Sequence, residues 1–417
     1  MAIADRTRRT HAGPVDLALL PTAVKDVVTI RGSIDTSPSY AAGGELAQEW
    51  MVRTLDKGTT SRDRFEVASV LENLGAQLGF SGSAARVRFS ARCLRADVRT
   101  VIELLFEQLK QPALDESELT KSRDRLLASI QRGIADAGYR ADVALSQAVY
   151  APSHPNYMYD PAEEKSLVES LTNPDVKTAH AAAIAGSPRM VIVGDLDVEA
   201  CSDMVGEIAA DWTVSTDGPI DAPQKAASPV QLQVPIADRD NLEVRWGHAM
   251  PIKRLDDDFL PAYMASFILG GNFSARLMNE VREKRGLTYG IGSGLRGLDS
   301  RYDGMWRMHV TLSQDNLDRG IKATEEVVRA FRADGITDEE LAEKQQTIAG
   351  SYQVRMASTA GLAGALLQQM EDGRPLSWVD SYTDRIRACS LERVNGAIEA
   401  HFRPENLSRV VSGTIPD

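Results

Sequence analysis

The sequence predicts an α+β protein of two homologous domains, each an antiparallel sheet with helices packed on one face, joined by a linker. Three features of the 417 residues predict it. A pair of alternating, period-two segments occurs in each half, each pair is followed by two helical segments, and a run without any period lies at the middle. Strands grouped beside helices, rather than alternating with them, mark α+β and not a doubly wound sheet. With 43% hydrophobic and 25% charged residues, the chain can bury sizeable cores.

In the first half, Leu74-Gly75-Ala76-Gln77-Leu78-Gly79-Phe80-Ser81-Gly82-Ser83 leads into Val87-Arg88-Phe89-Ser90-Ala91-Arg92-Cys93-Leu94, which reads as an antiparallel pair. An amphipathic helix follows over Asp97 to Gln111, and a second helix opens at Asp115 and Glu118 with a capping pattern. The run Thr213 to Pro229 holds three prolines and reads as a linker. It divides the chain into 1–212 and 230–417. In the second half the order repeats: Arg285 to Gly294 leads into Met305 to Leu312, a helix follows over Asn316 to Ala333, and Thr337 with Glu340 caps the next. Offsets of 211 residues at the glycines and 222 at the caps match two copies of one domain. Gly290, Gly292 and Gly294 fall inside a strand with no helix opening after them, so they indicate a bulge or close backbone approach and not a dinucleotide loop.

The chain carries 47 Lys and Arg against 59 Asp and Glu, a net charge of −12, which argues against sequence-independent binding of nucleic acid. No stretch approaches the roughly eighteen consecutive apolar residues of a membrane helix. Met1 to Arg6 shows no signal-peptide pattern, so the compartment is read as periplasmic if a signal has been removed and otherwise cytoplasmic. Cys93, Cys201 and Cys389 are too scattered for a disulfide framework or a thiolate metal site and read as small buried hydrophobes. None of the six histidines has a second at i+3 or i+4, so no zinc-binding helix pair exists. His401 and Glu405 are separated by Pro404, His309 reads as a packed or surface strand residue, and His154 as a loop residue.

One dense segment remains: Leu269-Gly270-Gly271-Asn272-Phe273-Ser274-Ala275-Arg276-Leu277, followed by Val281-Arg282-Glu283-Lys284-Arg285-Gly286-Leu287-Thr288-Tyr289. Asn272 or Ser274 can cap a helix, Gly286 can end it, and Tyr289 begins a strand. Arg282 and Tyr289 then offer a guanidinium fork and a phenolic donor suited to a carbonyl oxygen or oxyanion. The alternative is an Arg282 paired with a helix carboxylate and a half-buried Tyr289 in the sheet.

This segment resembles the signature of the C-terminal domain of the inverzincin metallopeptidases, the family of pitrilysin, insulysin and the mitochondrial processing peptidase. The resemblance extends from Gly13-Pro14-Val15-Asp16-Leu17, similar to the family's first strand, through Leu55 to Arg62, to a last strand near Ser408 to Gly413. Active members carry His-x-x-Glu-His shortly before the Lys-Gly-Thr seen here at Lys57-Gly58-Thr59. Counting back from Gly58, this chain has Glu49, Val52 and Arg53 at the three positions. The distal glutamate of the family would fall near Leu127, Ala128, Ser129 and Ile130. Arg53 is a permanent cation and Val52 cannot act as a base, so no catalytic zinc or other cofactor is expected in this chain.

The resemblance implies half of a clamshell that closes on a zinc-bearing homologous subunit. In this reading the chain is no enzyme in isolation, yet forms part of a zinc endopeptidase. Arg282 and Tyr289 act in trans on the partner's peptide substrate. An orphan homodimer is allowed where the partner is missing. The alternative is an inert scaffold of the core-subunit type, and a lesser one is an unusual metal set built on Glu49 and a distant histidine.

Overall fold

The computed structural model describes residues 2–36, 43–83, 85–215 and 228–415. Among them are eleven strands in two sheets. The first sheet holds β1 (Arg8–Ala12), β2 (Val15–Pro21), β3 (Val27–Asp35), β4 (Gln77–Ser83), β5 (Arg86–Leu94) and β6 (Pro188–Gly194), and the second holds β7 (Gln231–Pro235), β8 (Asn241–Met250), β9 (Gly290–Arg296), β10 (Gly304–Ser313) and β11 (Ser408–Gly413). The fold is α+β. No helix among the described residues is long and apolar enough to cross a membrane.

The first sheet runs in the order β1-β2-β6-β3-β5-β4. Its pairs are antiparallel except β2 with β6, aligned from Asp16↔Arg189 to Pro21↔Gly194. The sequence-based expectation of a wholly antiparallel sheet is thus off by one pair. A parallel neighbour needs a long crossover, and the helices between β5 and β6 supply it. Both faces of the centre are covered. Ala18, Leu20, Val191 and Val193 pack against Ala363, Leu366, Leu367 and Met370 of the helix Thr359–Asp372, while Leu17 and Leu19, on the other side of the pleat, are equally sealed. The edge strand β4 is mostly exposed.

The second sheet runs β7-β11-β8-β10-β9, again with one parallel pair, β7 with β11. One face buries Met305 and Val410 under Ala141, Leu145, Val149 and Tyr150 of the segment 137–150. On the other, Trp306 and Phe331 both meet Phe402 edge-on, with ring centroids 4.8 and 5.7 Å apart. Helices therefore cover both faces of each sheet, where one face was expected.

Compactness divides the chain differently from a cut at the linker. One unit comprises Met1–Ala128, Ser166–Ile220 and Ser351–Tyr382, the other Ser129–Lys165, Asp221–Gly350 and Thr383–Asp417. The segment around the helix Ala137–Val149 lies in the first half of the sequence but packs on the second sheet, and the segment around Thr359–Asp372 does the reverse. The physical reason is that each sheet has a second apolar face that its own half leaves bare. The exchange respects the repeat, for 222 residues separate Glu116 from Asp338 and Ala137 from Thr359 at the starts of matching helices. Most of the run 213–229 lies outside the described residues.

The capping readings hold. Asp115 Oδ1 accepts from the backbone N–H of Ser117 and Glu118 at 2.9 and 3.3 Å, and Thr337 and Glu340 bond reciprocally. Of the β9 glycines only Gly292 serves close approach, since a Cβ on Gly290 would meet open space and one on Gly294 only the Arg296 side chain at 3.6 Å. The β9–β10 register is unbroken from Met305↔Arg296 to Thr311↔Gly290, so no bulge occurs. A Cβ on Gly292 would sit 2.6 Å from the His309 ring, and one on Gly270, at the end of the helix Phe259–Gly270, only 2.4 Å from the Ser293 backbone nitrogen. Gly270→Ala forces helix and strand apart, and a loss of about 1–3 kcal/mol is expected, read from the denaturant midpoint.

Candidate functional site

The helix Gly44–Val52 and its C-cap Arg53 hold the three positions that the resemblance reads as a degenerate zinc motif, Glu49, Val52 and Arg53. The helix starts at Gly43, whose φ of 70° suits glycine, and turns Leu46, Ala47, Trp50 and Met51 inward. Trp50 donates its Nε1–H to the Leu119 carbonyl at 3.0 Å. Glu49 and Arg53, one turn apart on the outer side, form an ion pair with Nη2–Oε1 2.5 Å and Nε–Oε1 3.0 Å. Val52 is 6% exposed, close enough to Gly82 that a Cβ there would lie 3.3 Å from its methyl group. In the helix Glu116–Ile134, Ala128 and Ser129 face solvent and Ile130 is buried.

These residues do not fit zinc. One carboxylate is held by a cation that would itself repel the metal, the neighbour is an aliphatic side chain, and among the described residues no three His, Cys, Asp or Glu are grouped to hold an ion. The same places have become an ordinary surface ion pair and a packed valine.

The Arg282 segment is built by three devices. Asn272 Oδ1 accepts from the Ser274 N–H and hydroxyl at 2.9 and 3.0 Å. Lys344, buried, donates to the Ser274 carbonyl and hydroxyl at 3.1 and 2.6 Å, and Arg276 is clamped to Glu340 with Nη2–Oε2 2.5 Å. The start is thus tied to the helix Asp338–Met356. The turn Met278–Glu283 is wider than α, with the Lys284 N–H bonded five residues back to Asn279 at 2.9 Å. Gly286, at φ 60°, then reverses the chain.

Leu277 and Val281 are fully buried beneath this turn, which leaves Arg282 on its outer side. The Arg282 guanidinium lies over the Phe273 ring, 4.6 Å from its centroid, and its Nε stands 3.4 Å from the Glu283 carboxylate. The Thr288 hydroxyl donates to the Thr311 carbonyl at 2.5 Å and accepts from the Gly290 N–H at 3.0 Å, anchoring the start of β9. Tyr289, between these contacts, is 93% exposed. The two residues read from the sequence thus lie within one unit, Arg282 half-buried and Tyr289 exposed, and no hydrogen bond or ring contact joins them. Neither alternative role describes them fully: Tyr289 is not half-buried, although Arg282 does keep a loose carboxylate neighbour. Sequence reasoning missed Phe273, 63% exposed, which forms the shelf under Arg282. A large apolar side chain between Asn272 and Ser274 in a capping turn was the available signal.

The histidines lie elsewhere. His401 Nε2 meets Asp258 Oδ2 at 2.7 Å rather than Glu405. His154, although in a turn, is buried and stacks on Tyr150 with centroids 4.2 Å apart. All three cysteines are free and buried, and burial pushes the Cys93 thiol up to about 11, so it is inert at neutral pH. Burial, with Arg245, Arg307 and Arg296 nearby, pushes His309 down to about 4.

Comparison with known proteins relates the chain to one family of peptidases. Residues 51–153 match the family model described as Insulinase (Peptidase family M16), and residues 170–348 match the one described as Peptidase M16 inactive domain. The chain is 21% identical over 378 residues to the Non-peptidase homolog YmxG of Helicobacter pylori, covering 89% of this chain and 86% of that protein. It is 23% identical to the Uncharacterized zinc protease YmxG of Bacillus subtilis, over 86% and 87% of the two chains. A solved structure of a peptidase M16 inactive domain from Pseudomonas fluorescens superposes with a TM-score of 0.88 at 23% identity, covering 98% of each chain.

Two stability outcomes follow from these side chains. Glu49→Ala should change stability by no more than about 0.5 kcal/mol, since the pair is exposed, whereas Val52→Glu buries a carboxylate and should lose about 1–3 kcal/mol; urea denaturation compares them. His309 has its folded-state value below the ordinary 6.5, so its neutral form is favoured by folding. That stability is complete above about pH 6.5 and is lost as pH falls toward 4. His309→Gln should therefore give a shallower decline in urea midpoint between pH 6.5 and 4 than the parent shows.

Proposed function

This chain belongs to peptidase family M16, and from that premise we propose that it is the non-catalytic subunit of a heteromeric zinc endopeptidase, lending Arg282 and Tyr289 to the active site of a zinc-bearing homologous subunit. The selectivity of its losses supports this most directly. The positions read as metal ligands hold the Glu49–Arg53 ion pair and the packed Val52, while Arg282 sits half-buried on a braced turn and Tyr289, just after it, is exposed.

The chemistry assigned to this chain is electrostatic. The guanidinium, oriented by Phe273, presents N–H donors to the carbonyl oxygen of a peptide held by the partner, and the Tyr289 hydroxyl donates a further hydrogen bond. Both interactions strengthen as negative charge develops on that oxygen, which is what lowers a barrier. The backbone hydrogen bonds on either side of the turn limit its reorganisation, so the donors are held ready. The base and the attacking water are the partner's.

Purified alone, the protein should show neither peptidase activity nor stoichiometric zinc by metal analysis. Mixed with its zinc-bearing homologue, it should yield cleavage of unfolded peptides. Arg282→Ala and Tyr289→Phe should each lower kcat by about 10²–10³ while sedimentation shows assembly unchanged. Full turnover in both variants would remove the role given to these side chains, and assembly without any cleavage would favour the scaffold reading.

A further inference from the structure

A second site lies in the unit of the first sheet, where β3, β4 and β5 meet the start of the helix Thr359–Asp372. A cavity of about 500 Å³ opens there, lined by Arg31, Gln77, Ser90 and Arg92 from the strands and by Ser358 and Thr359 from the helix start, with no acid on its walls. The hydroxyls of Thr29 and Thr359, 2.8 Å apart, fasten strand to helix.

The positive charge of this cavity has no counterpart in the protein. Arg92 stands opposite Thr29 in the β3–β5 register, so Arg31 and Arg92 are diagonal neighbours on one face of the sheet. Both are exposed, and neither makes a hydrogen bond or ion pair among the described residues. The Ser358 hydroxyl accepts the Gly361 N–H at 3.0 Å, whereas the N–H groups of Thr359 and Ala360 have no acceptor within the helix. A helix start adds about half a positive charge to the two guanidiniums.

The internal repeat shows how the same place looks when neutralised from within. Leu94 and Ser313 precede matching turns, Arg95–Asp97 and Gln314–Asn316. Counting back along the paired strands sets Arg31 against Arg245, Thr29 against Glu243 and Arg92 against Thr311. The 222-residue offset of the helices sets Ser358 against Asp136 and Gly364 against Asp142. In the unit of the second sheet Arg245 is bonded to Asp142 at 2.9 Å and to Glu243 at 2.8 Å, and Asp136 caps the helix through the Tyr139 N–H at 2.8 Å. Three carboxylates thus surround one helix start and its strand arginine. The first unit has Thr29, Gly364 and Ser358 at those positions, keeps the arginine and adds Arg92.

We propose that this cavity binds a phosphate dianion, inorganic or as a monoester, in the place those carboxylates fill in the other copy. Arg31 and Arg92 hold its oxygens by charge-assisted bonds, and the Thr359 and Ala360 N–H groups donate to it from the helix start. Gln77 and Ser90 are left to meet the body of an ester. All of these groups belong to one unit, so the site is independent of the pairing proposed above.

The test is isothermal titration of the full-length protein at constant ionic strength with inorganic phosphate, O-phospho-L-serine and acetate. Saturable binding of a phosphate at one site with Kd below about 1 mM is expected. Equal affinities for the two phosphates would identify the free ion as ligand, and tighter binding of O-phospho-L-serine a monoester. Acetate and the surface variant R31Q/R92Q should each bring a loss of about tenfold or more. A Cβ on Gly364 would lie 3.9 Å from Arg31 Cδ and Nη1, so Gly364→Asp supplies the counter-ion that Arg245 already has. It should weaken phosphate by about tenfold, while its neutral isostere Gly364→Asn leaves affinity unchanged. Absence of saturable heat at millimolar phosphate, acetate bound as tightly as phosphate, full affinity in R31Q/R92Q, or equal affinity in the Asp and Asn variants would each overturn the assignment.

Discussion

Two-sided burial of the sheets is the constraint on which the remaining structure depends. In the first sheet the central strands are apolar on both sides of the pleat, as Leu17 and Leu19 against Ala18 and Leu20 illustrate, while in the second β10 turns Trp306, Met308 and Val310 to one side and Met305, Arg307 and His309 to the other. A sheet of this kind is stable only between two layers of helix. Each half of the sequence covers one face of its own sheet, and the segments around Ala137–Val149 and Thr359–Asp372 cover the second face of the other. The exchange is reciprocal because the two halves repeat the same order of elements. It also makes either half incomplete as a folding unit.

The second sheet positions the Arg282 turn through close packing. Helix and strand meet where Gly270 and Gly292 leave no room for a Cβ, so the chain leaving the helix Phe259–Gly270 turns outward at once. Asn272, Arg276 and Lys344 hold the start of that excursion, and Gly286 and Thr288 hold its end. Between these clamps the polypeptide takes a wider helical turn that carries a half-buried Arg282, and Tyr289 follows the second clamp fully exposed. Phe273 and Tyr289 are the large exposed side chains of this braced segment.

Opposite economies operate at the helix Gly44–Val52. Its inward residues are retained as packing, with Trp50 satisfied by the Leu119 carbonyl, while its outward positions have acquired an ion pair typical of any helix surface. Fold and metal chemistry are therefore separable here, because the core needs the buried side of that helix and only a metal needs the other.

Local pattern alone determined much. Period-two segments placed β5 and β10 to within a residue, β4 begins three residues later than its reading, capping residues placed the long helices, and the misfit of Glu49, Val52 and Arg53 to zinc rests on residue types that no fold can alter. These readings depend on neighbours in sequence, and neighbours in sequence carry them. Tertiary structure decided the rest: which sheet receives which helix, the parallel pairs β2–β6 and β7–β11, the stacking of Phe273 under Arg282, and the gathering of Arg31 and Arg92 beside one helix start. Each depends on contacts between residues far apart in the chain, where one apolar face resembles another until packing selects its partner.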